Sequence, residues 1–140
     1  MGKREREALA QVPLFSNLSP RYLRRLADLS EEHRYMEGAS IVREGESGDV
    51  FFVILGGEAK VVSRAGRVVH SLVPGEFFGE ISLLDGGPRT ATVVAQTPMV
   101  LLGLQRSAFQ EVVATEPAVA VKLLQHAAAM LRRLENPKTG

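Results

Sequence analysis

The sequence predicts an α+β domain: an antiparallel β-roll, jelly-roll-like, flanked by N-terminal helices and a C-terminal pair of helices. Two patterns predict it. Between residues 38 and 105, short β-rich runs alternate with glycine turns. On either side of that stretch, apolar residues recur at helical spacing. The 140 residues read as one domain, long enough to bury a core. Residues 1–37 are expected to be mainly helical, 38–105 to form the β-roll and 106–135 the C-terminal helices.

Leu18-Ser19-Pro20 marks a helix start. Ser19 caps, Pro20 fits the first turn, and Leu18 staples against Leu23. Leu23, Leu26 and Leu29 repeat at helical spacing, with Arg21, Arg24, Arg25 and Asp28 outside the stripe. Residues 5–11 predict a further helix. Strands follow at 41–43, after which 44–49 turns, and at 50–55, which is continuously apolar. Gly56-Gly57 reads as a hairpin into a strand at 58–63. Ala65-Gly66 turns the chain into 67–73, and Pro74-Gly75 breaks it. Strands at 90–95 and 99–104 enclose Thr97-Pro98.

Phe109, Val112 and Val113 predict a helix ending near Thr115, and Pro117 opens the next one. Val119, Leu123, His126, Ala127, Met130 and Leu134 form its stripe, widened by Leu124, Ala128 and Leu131. So broad an apolar face predicts contact with another helix or a second chain.

Composition excludes several functions. Apolar residues make up 45%, which argues against disorder. Seventeen Lys and Arg against sixteen Asp and Glu leave no basic field, so no direct nucleic-acid partner is expected. Without Cys there is no disulfide and no Cys-based zinc site. No apolar run approaches the roughly 20 residues of a membrane helix, so membrane insertion is not expected. Nothing at the N-terminus reads as a signal peptide, and Arg6 stands where a myristoylation motif needs Ser or Thr. The tail Asn136-Pro137-Lys138-Thr139-Gly140 resembles a sorting motif but has no export signal beside it. A cytoplasmic location is the expectation.

His33, His70 and His126 are scattered and form no metal site, and their spacing alone assigns them no special role. There is no Ser/His/Asp set and no Gly-Lys-Ser/Thr after the glycine turns. Asp85 and Glu80 lie close in sequence, but two carboxylates without a His or metal partner make no active site. The chain is expected not to be an enzyme.

The informative stretch is Phe78-Gly79-Glu80-Ile81-Ser82-Leu83-Leu84, followed by Pro88-Arg89-Thr90-Ala91-Thr92-Val93. It sets one carboxylate at the mouth of a short helix and one guanidinium at the entrance to a strand. A 3′,5′-cyclic nucleotide presents a matching pair of groups. Its phosphate carries one charge and two free oxygens, which suit the planar fork of Arg89. Its ribose keeps one free hydroxyl, whose proton Glu80 is placed to accept. Gly79 allows close backbone approach, and a helix beginning near Glu80 supplies amides. Ser82 and Thr90 each add a hydroxyl. Without ligand, Glu80 and Arg89 are expected to steady each other or to be held by water.

These residues resemble the phosphate-binding cassette of cyclic nucleotide-binding domains, here 77–93. That family includes catabolite-activator-type regulators, kinase regulatory subunits and cyclic-nucleotide-gated channels. Val12-Pro13-Leu14-Phe15 with Leu18-Ser19 is similar to the family's helical N-terminal region. Glu44-Gly45, Gly48-Asp49 and Gly57 are similar to its β-roll turns, so the resemblance covers residues 12–134. It implies that Glu80 binds the ribose 2′-hydroxyl and Arg89 the cyclic phosphate. Gly79 and Ser82 would supply donors near the phosphate, with Ile81 between them. Thr90 would meet the phosphate or a syn guanine, and the last helix, which closes over the base in this family, leaves His126 a place facing it; Phe77 and Phe78 read as core. The implied ligand is cAMP foremost, with cGMP the alternative, and no further cofactor.

The implied mechanism couples the cassette to the last helix, with Leu83 and Leu84 repacking and residues 117–134 shifting toward the pocket. No helix-turn-helix follows Leu134, so the output is expected through a homodimer, or a fused or partner effector, on the C-terminal helix. The chain then reads as a stand-alone module, or as the excised sensor of a channel or transcription regulator. A reading of a different class is a cupin-like enzyme or structural jelly roll with a coincidental cassette; a metal-binding cupin would require clustered His ligands.

Overall fold

A computed structural model describes residues 3–135; the side chains of Lys3, Arg4 and Leu134 lie outside it. The sequence readings of Met1-Gly2, of the tail 136–140 and of Leu134 in the last stripe therefore fall outside the described residues. The chain opens with α1 (Lys3–Ala10), a 3-10 turn (Pro13–Phe15) and α2 (Pro20–Leu29). Ser19 caps α2 by accepting from the Tyr22 N–H at 3.2 Å, with Pro20 in the first turn. Leu23, Leu26 and Ala27 are its buried face, while Leu29 is left 39% exposed.

Eight strands follow: β1 (Ser30–Tyr35), β2 (Ser40–Val42), β3 (Val50–Gly56), β4 (Ala59–Val62), β5 (Val68–Leu72), β6 (Phe77–Phe78), β7 (Thr92–Ala95) and β8 (Met99–Gln105). They form two four-stranded antiparallel sheets, ordered β1-β8-β3-β6 and β2-β7-β4-β5. This is the α+β roll that the glycine-punctuated sequence predicts. A short helix, α3 (Glu80–Asp85), separates β6 from β7, and α4 (Arg106–Thr115) and α5 (Pro117–Glu135) close the chain.

Two cores share the central strands. Phe51 and Val53 pack with Leu9, Phe15, Leu26, Phe109, Val112, Val119 and Leu123 on the helical side. Phe52 and Ile54 pack between the sheets with Leu72, Phe78, Val93, Met99 and Leu101. Burial on both faces is why residues 50–55 lack the polar alternation of a half-exposed strand.

One expectation fails here, and one strand goes unread in the sequence. Gly56-Gly57 does not close a hairpin: β3 pairs with β6 and β8, whereas β4 pairs with β5 and β7 in the other sheet. Gly57, at φ +85, instead carries the chain between sheets, and a Cβ there would lie 2.3 Å from the Pro98 carbonyl. That corner is pinned to the turn before β8, where the Glu58 N–H donates to Thr97 Oγ1 at 2.9 Å. The unread strand is β1, at the end of a stretch, 1–37, that is otherwise mainly helical as expected. It occupies a sheet edge and keeps Glu31, Glu32 and Arg34 exposed. Its inward contacts come from His33, edge-on to Phe52 at 5.5 Å, and from Tyr35.

Candidate functional site

Arg89 sits in a slot between two glycines. A Cβ on Gly48 would lie 1.9 Å from its Nε, and one on Gly79 2.6 Å from its Nη1. Gly79 also adopts φ +92 as it caps α3, a conformation glycine takes without steric cost. The slot leaves Arg89 only 6% exposed. Nη1 donates to the Gly79 carbonyl at 3.2 Å and to Ser82 Oγ at 3.1 Å, while Nη2 donates to the Val50 carbonyl at 2.8 Å. Its backbone is paired as well: the Arg89 N–H donates to the Glu46 carbonyl, and the Gly45 N–H to the Arg89 carbonyl. The cation is thus held by dipoles rather than left unpaired. Burial pushes its pKa below the usual value, against the nearby charges of Asp49 and Glu80 and with that of Arg106. Arg106 itself pairs with Asp49 at 3.0 Å.

Glu80 is the first residue of α3 and is 7% exposed. The expected steadying by Arg89 is replaced by another partner: Glu80 Oε2 lies 3.5 Å from His126 Nε2 on α5. The imidazole also meets Phe77, ring centroids 4.8 Å apart.

One cavity of 580 Å³ brings these groups together. That size suits a small-molecule site. Gly79, Glu80, Ile81, Ser82, Arg89 and Thr90 all line it. Ser82 is buried and spends its hydroxyl on Arg89 and the Gly79 carbonyl, whereas Thr90 is exposed at the edge. Val61, Val69, His70 and Leu72 build one wall, and His126, Met130 and Arg133 of α5 another. Leu83 is buried in the helical core, while Leu84 is 52% exposed.

Sequence reasoning missed part of this wall. His70, assigned no special role, lines the cavity, as does Phe77, which reads from sequence as core; His126, for which the resemblance allows a place facing the base, lines it too. The helical stripe that joins Leu123, His126 and Met130 was the available signal for His126. Nothing local in the sequence marks His70 or Val69, because only the fold carries β5 to the cavity. Among the described residues, no group of His, Cys, Asp or Glu is arranged to hold a metal, and no helix is long and apolar enough to cross a membrane.

Several known proteins are similar to this chain. A cAMP-dependent protein kinase regulatory subunit of Colletotrichum orbiculare is 39% identical over 103 residues, 73% of this chain and 26% of its own length. A cGMP-dependent protein kinase of Caenorhabditis briggsae is 38% identical over 75% of this chain and 15% of its own length. The chain therefore spans about a quarter or less of these relatives. A solved structure described as cAMP-bound PfPKA-R superposes with a TM-score of 0.83 at 27% identity, covering 95% of this chain and 47% of that one. The family described as the cyclic nucleotide-binding domain matches residues 32–116, and this chain belongs to it.

Proposed function

We propose that this domain is a cyclic-nucleotide sensor whose ligand is cAMP. One observation carries the reading: two buried side chains of opposite charge, Glu80 and Arg89, line a single cavity without spending their charges on each other. Arg89 takes the cyclic phosphate by exchanging backbone carbonyls for charged oxygens, a stronger partner for a guanidinium. Glu80 takes the ribose 2′-hydroxyl and repels the extra charge of a linear nucleotide. Gly79, Ile81 and Ser82 present the backbone of the α3 turn, and Thr90 adds a hydroxyl at the rim. The kinase regulatory subunits among the relatives favour cAMP. Arg133 favours cGMP as a second reading, because a donor-only fork suits O6 and N7 of guanine better than the adenine edge, which carries an amine.

Occupation of the cavity draws α5 against the cassette through His126 and Phe77. The ligand biases α5 only as far as it prefers the closed arrangement. Output leaves through the outer face of α5, where Val121, Leu124 and Leu131 are 50%, 71% and 59% exposed. A second copy or an effector segment docks there. This is a binding module, not an enzyme. Titration calorimetry with cAMP, cGMP and 5′-AMP tests the assignment. Saturable binding of a cyclic nucleotide, with little of 5′-AMP, is expected; heat from neither cyclic compound overturns it. Amide exchange across residues 77–92 should slow on binding, and unchanged protection would count against ordering of the cassette.

A further inference from the structure

Lys122 hydrogen-bonds α5 to the N-terminal corner of the domain. Lys122 Nζ lies 2.6 Å from the Pro13 carbonyl, 2.8 Å from Ser16 Oγ and 2.5 Å from Asn17 Oδ1. An ammonium has three protons, and three oxygens receive them. All three acceptors are neutral, so the cation rests in a cradle of dipoles rather than in an ion pair. The 3-10 turn shapes that cradle. The Ser16 N–H and hydroxyl both donate to the Pro13 carbonyl, at 3.3 and 3.0 Å, which gathers the oxygens on one side. The ligand contacts described above make no use of Lys122.

The cradle adjoins the cavity. Pro13 and Leu14 line it, and so does His126, one helical turn beyond Lys122. Val119 and Leu123, on either side of Lys122 in sequence, are buried in the core that holds Leu14, Phe15 and Leu18. Beyond Lys122 the helix is less anchored: Leu124, Gln125, Ala127, Ala128 and Ala129 are exposed. The latch thus sets the point from which α5 carries His126, Met130 and Arg133 over the cavity.

We propose that Lys122 is a positioning residue for ligand retention: filling the oxygen cradle fixes α5 over the cavity and slows the ligand's escape. This rests on the cyclic-nucleotide reading of the same cavity. Without the ammonium, Ser16 and Asn17 are exposed enough to bond water, so the fold itself loses little. The effect therefore falls on release of the ligand rather than on its arrival.

Two variants test this. Lys122→Met keeps the apolar stem and removes the charge, and Asn17→Ala removes one oxygen of the cradle. Release of a fluorescent cAMP analogue, chased by excess cAMP, is followed by stopped flow, with amide exchange across 124–133 measured in parallel. Each variant should release the analogue roughly three- to tenfold faster at unchanged association rate, and the double variant no faster than Lys122→Met alone. Wild-type release and exchange in Lys122→Met, or fully additive effects of the two changes, would overturn the latch. A wild-type protein that binds no cyclic nucleotide overturns the ligand reading instead. In that case the exchange of α5 alone decides the latch: faster exchange in Lys122→Met supports it, and unchanged exchange sinks it.

Discussion

Glu80 and His126 meet across the cavity, with Oε2 3.5 Å from Nε2, and so join the start of α3 to the middle of α5. The same imidazole packs on Phe77 at 4.8 Å. His126→Ala removes both contacts at once. It should weaken cyclic-nucleotide affinity by about 0.5–1.5 kcal/mol, the scale of an aromatic contact, with the part-exposed contact to Glu80 adding little. Calorimetry reads that loss, and wild-type affinity in the variant would separate α5 from the ligand.

A phosphate held by Arg89, as proposed, makes binding depend on the guanidinium. Arg89→Ala should weaken binding by roughly 1.5–3 kcal/mol or more, the scale of hydrogen bonds to a charged group. The slot provides a second, steric route to the same result. Gly48→Ala leaves every charge in place but puts a methyl group where the Arg89 side chain now lies. Its affinity should fall toward that of Arg89→Ala. Full affinity in Gly48→Ala would mean that the slot does not orient the guanidinium.

The cassette was legible because its chemistry is local: a glycine turn, a carboxylate and a guanidinium stand within eleven residues, from Gly79 to Arg89. The helices at both ends were legible from spacing and caps, as Ser19 and Pro20 illustrate. What stayed hidden depends on distant partners. β1 is an edge strand whose polar sequence carries no alternation to read. Gly56-Gly57 has hairpin chemistry, but the choice between a hairpin and a crossing to the other sheet is made by the β7–β8 corner packed against it. His126 gained its place only when α5 folded back over the cassette.

Acid should loosen the contact between α2 and α4. Glu111 receives Arg25 in a two-pronged pair, both bonds 2.8 Å, and also meets the Tyr22 hydroxyl at 3.5 Å. The Arg25 hydrogen bond, more than its charge, holds the Glu111 carboxyl below its usual value of 4.5. A depressed folded pKa means that the pair's contribution is complete above 4.5 and fades as pH falls through the folded value. Urea midpoints of the wild type and Glu111→Gln should differ at about pH 6 and converge well below the carboxylate range. A gap that persists into acid would contradict the pairing.

The outer face of α5 should carry self-association. Leu124 there is 71% exposed. Light scattering should give the wild type a dimer mass that Leu124→Glu reduces to a monomer. A monomeric wild type, with and without ligand, would leave this face to an effector.

The proposed grip of Glu80 on the ribose hydroxyl can be isolated by a cycle of protein and ligand changes. Affinities of wild type and Glu80→Ala are measured for cAMP and for 2′-deoxy-cAMP. If carboxylate and hydroxyl are partners, either change alone weakens binding, by roughly 1.5–3 kcal/mol, and the second adds almost nothing. Losses that simply add would show that Glu80 and the hydroxyl act apart, and would contradict the assignment.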